Sequence, residues 1–342
     1  MITCFSPTIR RREMEAALSC MVGDSVSPGE VNLKLCQTAC EVALFQVAVA
    51  VRSPALAFER LLAVCGLKTG EAIVMSALTP AYYAESAERL GFRVLAADVD
   101  ETSAVASLES VKQQIKAGGR LLLLSEPFCP PVNSQSEDFE GLGIPVIEDI
   151  SRSFFVPAEG QAVASSLVIM GMEDGDLLGM GGGALLAARL KQDKSVLKSL
   201  SESLSQTDLL PDLNAALGYC GFKEFKRNQT ARRELYEYFS HTVASSRHRV
   251  FAKPENAELS SCCCFALELK CGFKAAYSHA QKRGVEVKLA FEHSLLAKRH
   301  DELAPSCPNA ASLLLRVALF PLYPRLSKNE ASQVAGVLSS LP

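Results

Sequence analysis

Residues 144–150 read Ile-Pro-Val-Ile-Glu-Asp-Ile, a short apolar run that becomes acidic only near its end. Such a run is typical of a strand in a parallel sheet that helices cover on both faces. A side chain at the end of this strand lies at the carboxyl edge of the sheet, where open α/β sheets bind their ligands. The stretch therefore predicts a parallel α/β sheet and makes Asp149 the first candidate site residue.

The segments on both sides of this stretch continue the alternation of strands and helices. The predicted strands span residues 72–75, 93–99, 121–125, 145–150, 167–172 and 184–188. The predicted helices span residues 54–65, 80–90 and 111–117. Gly66 and Gly91 follow two of these helices, as expected at helix C-termini. This order favours an α/β domain with a mostly parallel sheet between two layers of helices.

The last third of the chain has a different pattern. Its predicted elements are a helical stretch over 190–247, strands over 262–270, 285–290 and 313–319, and a helix over 273–283. Ser327 and Glu330 have the spacing of a capping box at the start of a final helix. We therefore predict a large α/β domain with an N-terminal arm over residues 1–247 and a smaller α+β domain over residues 248–342.

Composition excludes several classes of function. The chain has 342 residues, a formal net charge of −3 and 48% hydrophobic residues. This balance argues against nucleic acid and anionic membranes as main partners, because both require a basic face. No stretch reaches the ~20 apolar residues of a membrane span. The N-terminus also lacks the apolar run of a signal peptide, so we expect a cytoplasmic protein.

The twelve cysteines raise the question of disulfides or a metal site. A chain of this length without a signal peptide is not a small, disulfide-stabilised secreted domain. Cys36 and Cys40 could share a helix face and hold a metal, but no CxxC pair or nearby Cys/His pair completes a zinc site. We therefore predict ordinary core cysteines and no metal site.

Six short segments occur in one order along nearly the whole chain. They are Ala-Val-Ala-Val at 48–51 followed by Ser53, Gly91 with Asp-Val-Asp at 98–100, Ile-Pro-Val-Ile-Glu-Asp at 144–149, Gly-Met-Gly-Gly at 179–182, Asp-Leu-Asn-Ala-Ala-Leu-Gly at 212–218 and Leu-Phe-Pro-Leu-Tyr-Pro at 319–324. Together they resemble the DegT/DnrJ/StrS sugar aminotransferases, which are fold-type I enzymes dependent on pyridoxal 5′-phosphate (PLP). The resemblance implies an α/β PLP-transferase fold, with a large domain whose mostly parallel sheet lies between helices and a smaller C-terminal α+β domain.

The resemblance also implies a homodimer, because the sites of the family are built across a subunit interface. An apolar stretch points the same way, since it has more hydrophobic surface than one domain needs. Its residues are Leu209, Leu210, 215–217 and Phe222.

One residue that the family chemistry requires is missing. Transamination needs an amine that forms an imine with the cofactor aldehyde and then moves a proton. In the family, a lysine precedes the Gly-Glu-Gly-Gly turn by about five residues. Asp174 falls at that position here, or Glu173 if the turn is one residue longer. A carboxylate cannot form an imine, so the resemblance predicts no covalently bound cofactor.

The resemblance assigns the other cofactor positions one by one. Asp149 matches the acid that binds the pyridine nitrogen and makes PLP an electron sink. The phosphate turn reads Ser53-Pro54-Ala55, and Pro54 has no N–H to donate. Near the ring the alignment gives Pro80, with Tyr82 or Tyr83 as replacements, and near the phenolic oxygen it gives Arg152. Near the phosphate it gives Arg52 and Ser53, with Thr207 of the neighbouring subunit. His293 could contact the substrate, but a surface histidine is the favoured interpretation.

Three hypotheses follow from this pattern. In the first, the chain is a pseudoenzyme that binds a nucleotide sugar or partners an active paralogue in glycan or polysaccharide biosynthesis. In the second, it holds PLP or its aminated form, pyridoxamine phosphate (PMP), non-covalently for sugar dehydration, with Asp174 or Glu173 as the base. In the third, it is an ordinary nucleotide-sugar aminotransferase whose lysine lies elsewhere. Pro54 and Thr207 weaken the phosphate cup that the last two need, so we favour the first.

Overall fold

The computed structural model describes residues 1–24, 26–128, 139, 141–154, 165–251 and 262–342. Its larger sheet has seven strands in the order β1-β7-β6-β5-β4-β2-β3. The strands are β1 (Val47–Val51), β2 (Ala72–Ser76), β3 (Arg93–Ala97), β4 (Gly119–Ser125), β5 (Val146–Asp149), β6 (Leu167–Gly171) and β7 (Ala184–Ala188). Strands β3, β2, β4, β5 and β6 are parallel, and β7 runs antiparallel to both β6 and β1. The predicted mostly parallel sheet is confirmed.

Helices cover both faces of this sheet, which explains why its strands are apolar at nearly every position. The helices of this part are α1 (Arg11–Val22), α2 (Glu30–Ala43), α3 (Pro54–Val64), α4 (Ala81–Arg89), α5 (Leu108–Lys116), α6 (Lys194–Ser203), α7 (Asp212–Lys223) and α8 (Phe225–Val243). Every residue of β2 and β7 is buried. Phe58 of α3 packs in the core on one face, and Leu35 of α2 packs in the core on the other.

A buried aspartate joins two helices that are far apart in sequence. Asp212, the first residue of α7, is 0% exposed. Its Oδ1 accepts hydrogen bonds from the backbone N–H groups of Gly29 (2.8 Å) and Asn32 (2.9 Å), and its Oδ2 accepts one from Val31 (3.1 Å). Gly29 precedes α2 and has no side chain to cap it. Asp212 therefore supplies the N-terminal cap that α2 lacks.

The C-terminal part forms a second, four-stranded antiparallel sheet in the order β10-β11-β9-β8. Its strands are β8 (Arg249–Val250), β9 (Phe265–Glu268), β10 (Lys288–Leu289) and β11 (Val317–Phe320). Its helices are α9 (Phe273–Gln281), α10 (Leu295–Lys298), α11 (His300–Leu303), α12 (Pro308–Arg316) and α13 (Lys328–Ser339). The predicted capping box of the last helix is confirmed, because Ser327 Oγ accepts from Glu330 N–H while the Glu330 carboxylate accepts from Ser327 N–H.

The prediction of a strand over residues 313–319 is wrong for its first four residues. They belong to α12, which begins with Pro308 at its first position. The Asp98 carboxylate accepts hydrogen bonds from the N–H groups of Asn309 (3.2 Å) and Ala310 (2.9 Å), so a distant side chain stabilises the helix start.

The cysteines are mostly thiols in apolar surroundings, as expected. Burial raises the pKa of Cys36 to about 12 and also raises the pKa of Cys40. Cys262 is an exception, since it is disulfide-bonded. Within the described ranges, no group of cysteine, histidine and acidic side chains could hold a metal ion. Of the helices that the structure describes, none has the length and apolar character to cross a membrane.

Candidate functional site

A cleft of about 470 Å³ lies at the carboxyl end of the parallel strands, between the large sheet and β10 of the small sheet. Its floor is formed by Glu126 after β4, by Asp149 at the end of β5 and by residues 173–176 after β6. Residues 288–294 form the opposite wall. This is the edge at which α/β sheets bind ligands, so the cleft is the leading candidate site.

Asp149 is held in place by the turn that follows it. The side chain is 6% exposed, and its Oδ1 accepts hydrogen bonds from the backbone N–H of Ser151 (3.0 Å) and from the Ser151 hydroxyl. The Tyr83 hydroxyl lies close by but has no hydrogen-bond partner among the described residues. Burial raises the pKa of the Asp149 carboxyl, and the hydrogen bonds from Ser151 lower it only in part.

A second buried aspartate, Asp176, lies next to Asp149 and was missed by sequence reasoning. Its side chain is 10% exposed, its Oδ2 accepts from the backbone N–H of Glu173 (2.9 Å), and its Oδ1 lies 3.9 Å from Arg152 Nε. Burial raises the pKa of Asp176 to about 8, with Arg152 opposing the rise and the charge of Asp149 adding to it. The one signal in the sequence was the Glu-Asp-Gly-Asp turn, which places a second acid two residues beyond Asp174.

The Asp176 carboxylate lies against the start of α3. Gly171, at the end of β6, has no side chain, and three atoms lie within 3.2 Å of the point where its Cβ would be: Asp176 Oδ2, Ser151 Oγ and Pro54 Cγ. Ser53 caps its own helix, because its Oγ accepts from Leu56 N–H. This end of α3 therefore has a carboxylate of the same chain beside it and a hydroxyl that is already bonded.

The residues predicted to bind a phosphate do not line the cleft. Arg52 Nε donates to the backbone carbonyl of Thr207 at 2.5 Å, and the Thr207 hydroxyl bonds to Ser205 at 2.6 Å. Arg52 and Thr207 are exposed. These two predicted residues contact each other, but within one chain neither of them lines the cleft with Asp149.

The predicted aromatic residues divide into one that faces the cleft and one that does not. Tyr82 lines the cleft, and its ring centroid is 4.4 Å from that of Tyr83. Tyr83 is fully buried behind it and packs edge-on against Phe58. His293 lies on the rim with its side chain 90% exposed, 3.6 Å from Glu292. Tyr82 is therefore the aromatic surface that a ligand would meet.

Glu173 and Asp174 both line the cleft and are exposed at its rim. Among the described lining residues, Lys288 is the one lysine, and it belongs to the opposite wall. Its side chain is 38% exposed, lies over the ring of Phe5 and has its Nζ 4.0 Å from Glu286. The loop that follows β6 thus presents carboxylates to the cleft, and the amine is on the far side.

Glu126 is a further acid that sequence reasoning missed. It is 3% exposed, and its Oε2 accepts from the Ser153 hydroxyl at 2.7 Å. Burial and then the nearby Glu148 raise the pKa of the Glu126 carboxyl well above its usual range, while Glu148 itself pairs with Arg189. The described part of the lining carries six carboxyl groups, which are Glu126, Asp149, Glu173, Asp174, Asp176 and Glu292. Arg152 and Lys288 are its permanently basic groups.

PLP fits these residues only in part. Asp149 could bind a pyridine nitrogen, because it is an acid at the carboxyl end of β5 that lines the cleft. The loop after β6 offers no amine, and the Asp176 carboxylate lies beside the end of α3 at which a phosphate would have to bind. When ionised, Asp176 would repel a phosphate bound there, because charges interact strongly in a poorly solvated cleft. The arrangement therefore does not fit PLP bound as an imine with its phosphate at α3.

Comparison with known proteins places this geometry in context. A family model described as the DegT/DnrJ/EryC1/StrS aminotransferase family matches residues 7–166 and 191–339. The PMP form of the candidate sugar aminotransferase Spr1654 from Streptococcus pneumoniae has a TM-score of 0.85 at 13% identity, over 98% of this chain and 96% of that one. The aminotransferase TlmJ from Streptoalloteichus hindustanus has a TM-score of 0.84 at 18% identity, over 99% and 98%. DesV from S. venezuelae, in complex with a ketimine intermediate, has a TM-score of 0.81 at 16% identity, over 96% and 93%. These likenesses show a shared fold.

Proposed function

The chain belongs to the DegT/DnrJ/EryC1/StrS aminotransferase family, and within it we propose a pseudoenzyme that binds a ligand in the cleft without carrying out transamination. The observation that supports this proposal is the loop after β6. It presents Glu173, Asp174 and Asp176 to the cleft, and Asp176 lies against the start of α3. PLP, when bound as an imine, supplies an electron sink, but no side chain of this loop can form that imine.

The side chains that remain are suited to holding a ligand. Asp149 is rigid, because the Ser151 hydroxyl that donates to it accepts in turn from the N–H of Gly171 at 2.7 Å. Arg152 and Asp176 form a charged pair beside it. These groups can orient a polar ligand through charge-assisted hydrogen bonds without taking part in covalent chemistry. Of the ligands that the resemblance suggests, a nucleotide sugar would have Arg152 and Lys288 available for its phosphates.

We also propose that the protein forms a homodimer, or pairs with an active paralogue, although Leu209 and Leu217 are the members of the predicted apolar stretch that are partly exposed. Leu210, Ala215, Ala216 and Phe222 are buried within the chain, because α7 packs on α1 and α2. A different surface supports association. On α1, Met14, Leu18, Met21 and Val22 are 51–84% exposed and follow one another at helical spacing.

A second candidate function is PLP- or PMP-dependent chemistry on a nucleotide sugar, as an aminotransferase or a dehydratase. The position of Asp149 favours it, because an acid at the carboxyl end of this strand is what a pyridine nitrogen requires. In this alternative, Asp174 or Glu173 would act as the proton-transferring base at the rim.

Cofactor loading separates the two candidates. Purified protein is mixed with PLP, its visible spectrum is recorded, and the mixture is reduced with borohydride before mass spectrometry; an active family aminotransferase serves as the positive control. We expect a colourless protein with no pyridoxyl-lysine, because the cleft offers no amine beside Asp149. Stoichiometric labelling of one lysine, for which Lys288 is the lysine in the cleft, would overturn the proposal. Tight non-covalent binding of PMP would favour the dehydratase.

A further inference from the structure

A small cavity of about 20 Å³ lies next to the cleft and shares Asp174 and Asp176 with the cleft lining. Its other walls come from the N-terminal arm, from the loop after β6 and from helix α8, which contributes Arg232. Cys263, which lies two residues before β9, also lines this cavity. The space admits a molecule of only a few atoms.

Arg232 is a buried cation that pairs with no carboxylate among the described residues. The residue is 7% exposed, and its side chain donates to the backbone carbonyl of Leu177 at 2.8 Å. Its Nε–H has no hydrogen-bond partner in the part of the chain that the structure describes. Burial lowers the pKa of the guanidinium to about 10, and an ionised Cys263 opposes this shift. A buried guanidinium with an unused donor favours an anion in the cavity that it lines.

Cys263 belongs to a run of three cysteines. Cys262 is disulfide-bonded, whereas Cys263 and Cys264 are thiols whose sulfurs lie 3.7 Å apart, within hydrogen-bonding distance for sulfur. The hydrogen bond from Cys264 lowers the pKa of Cys263, although burial opposes the shift. The positive charges of Arg152 and Arg232 lower it further. The same hydrogen bond raises the pKa of Cys264, so Cys263 is the thiol of this pair that ionises first.

We propose that Cys263 is a modification site at which a small peroxide oxidises the thiolate to a sulfenate, with the Arg232 Nε–H as donor to the sulfenate oxygen. With hydrogen peroxide, the thiolate sulfur attacks one oxygen, so that an S–O bond forms and the O–O bond breaks. The departing hydroxide takes the proton of the transferred oxygen and leaves as water. The sulfur loses two electrons, and the peroxide gains them. The resulting anion gives the buried guanidinium the acceptor that it lacks.

Cys36 provides an internal comparison in the full-length protein. It is more exposed than Cys263, but burial of its sulfur raises its pKa to about 12. The protein is treated with hydrogen peroxide at neutral pH and unfolded with dimedone, which traps sulfenates, and its peptides are measured by mass spectrometry. We expect the Cys263 thiol to be lost at least about tenfold faster than the Cys36 thiol, because the thiolate is the reactive form. A rate for Cys263 no greater than that for Cys36 would overturn the proposal.

Two substitutions of Cys264 separate its hydrogen bond from its capacity to form a disulfide. Cys264→Ser keeps a donor for the thiolate and cannot form a disulfide with the sulfenate, so dimedone should label Cys263 in this variant. Cys264→Ala removes the donor, so oxidation of Cys263 should be at least about tenfold slower than in Cys264→Ser. Equal rates in the two variants, or loss of the Cys263 thiol in Cys264→Ser without a dimedone adduct, would overturn the mechanism.

Arg232→Gln tests the contribution of the guanidinium. It removes the charge and the Nε–H from the cavity, so oxidation of Cys263 should slow at least about tenfold. The matched control Arg233→Gln removes the charge of the next residue of α8, which does not line the cavity, and should change the rate less than about threefold. Equal slowing in both variants would overturn the role of Arg232. If Arg232→Gln does not fold, the comparison with Cys36 and the two Cys264 variants still decide.

Discussion

Two buried aspartates of this protein have very different surroundings. Asp212 is fully buried and accepts three backbone N–H groups at the start of α2. Asp149 is almost as buried, but its backbone donor is Ser151 N–H alone, and Asp149 lines the cleft. Both lie in segments that resemble the same family.

The difference separates a residue that the fold needs from a residue that a ligand would need. Carboxylates whose acceptor sites are filled by backbone donors hold segments of chain together. A buried carboxyl that lacks donors is costly to ionise, and such groups concentrate at binding and catalytic sites. By this criterion the region around Asp212 is structural, whereas the floor of the cleft, where burial raises the pKa of Asp149 and Asp176, is where we propose that a ligand binds.

The largest effect should come from the structural aspartate. Asp212→Ala leaves three N–H groups of α2 without an acceptor, and hydrogen bonds to a charged group are worth about 1.5–3 kcal/mol each. We expect a loss of about 4 kcal/mol in the free energy of unfolding, measured by urea denaturation. The control Glu30→Ala, in the first turn of α2 with a side chain that is 87% exposed, should cost less than about 0.5 kcal/mol. A loss below about 1 kcal/mol for Asp212→Ala would contradict the structural role of Asp212.

Asp176, in the floor of the cleft, should behave in the opposite way, because its removal should stabilise the protein. Its folded-state pKa of about 8 lies above its ordinary value of 3.8, so its contribution to stability is fully present below pH ~4 and is lost as the pH rises towards 8. Asp176→Asn removes this penalty. Its unfolding free energy should gain on the wild type by about 1 kcal/mol per pH unit between pH 5 and pH 7. Parallel pH profiles for the two proteins would show that Asp176 is not destabilised by burial.

The smallest effect on stability should come from the rim. Asp174→Lys changes an exposed side chain and should alter the unfolding free energy by less than about 0.5 kcal/mol. It also restores an amine where the resemblance expects one. When this variant is mixed with PLP and an amino donor, we expect no conversion of PLP to PMP, because Asp176 still lies at the start of α3. The conversion is measured by absorbance. Turnover in this variant, and not in Asp174→Asn, would mean that the missing lysine alone separates the protein from an enzyme.

Much of the fold was predictable because the local pattern of apolar and polar residues indicates strands and helices. The run over residues 144–150 is β5, and its last residue, Asp149, lies at the carboxyl edge of the sheet as expected. The strand over 313–319 failed because apolar spacing in a short segment does not separate a helix from a strand. There the Asp98 carboxylate, about 210 residues earlier, decided the outcome by capping α12.

Sequence reasoning named Asp149, Tyr82, Arg152, Glu173, Asp174 and His293, all of which line the cleft, but it missed Glu126 and Asp176. Asp176 lies in a loop, and its direction depends on the space that Gly171 leaves between β6 and α3. The spacing of residues in the sequence does not reveal this space. The same limit applies to Arg52 and Thr207, whose contact with each other joins segments about 155 residues apart. Motif positions located the cleft, and tertiary packing determined which side chains face it.

The hydrogen bonds of Asp212 also determine when helix α2 can be capped during synthesis. Helix α2 is translated early, but the side chain that caps it follows 180 residues after Asn32. At the usual ~5–20 residues per second, the ribosome adds this cap roughly 10–40 seconds later. During that interval the nascent N-terminal segment has the sequence of α2 without the acceptor for its first N–H groups. The N-terminal arm is therefore among the first parts of the chain to be made, and the cap of α2 follows only after all seven strands of the large sheet have been translated.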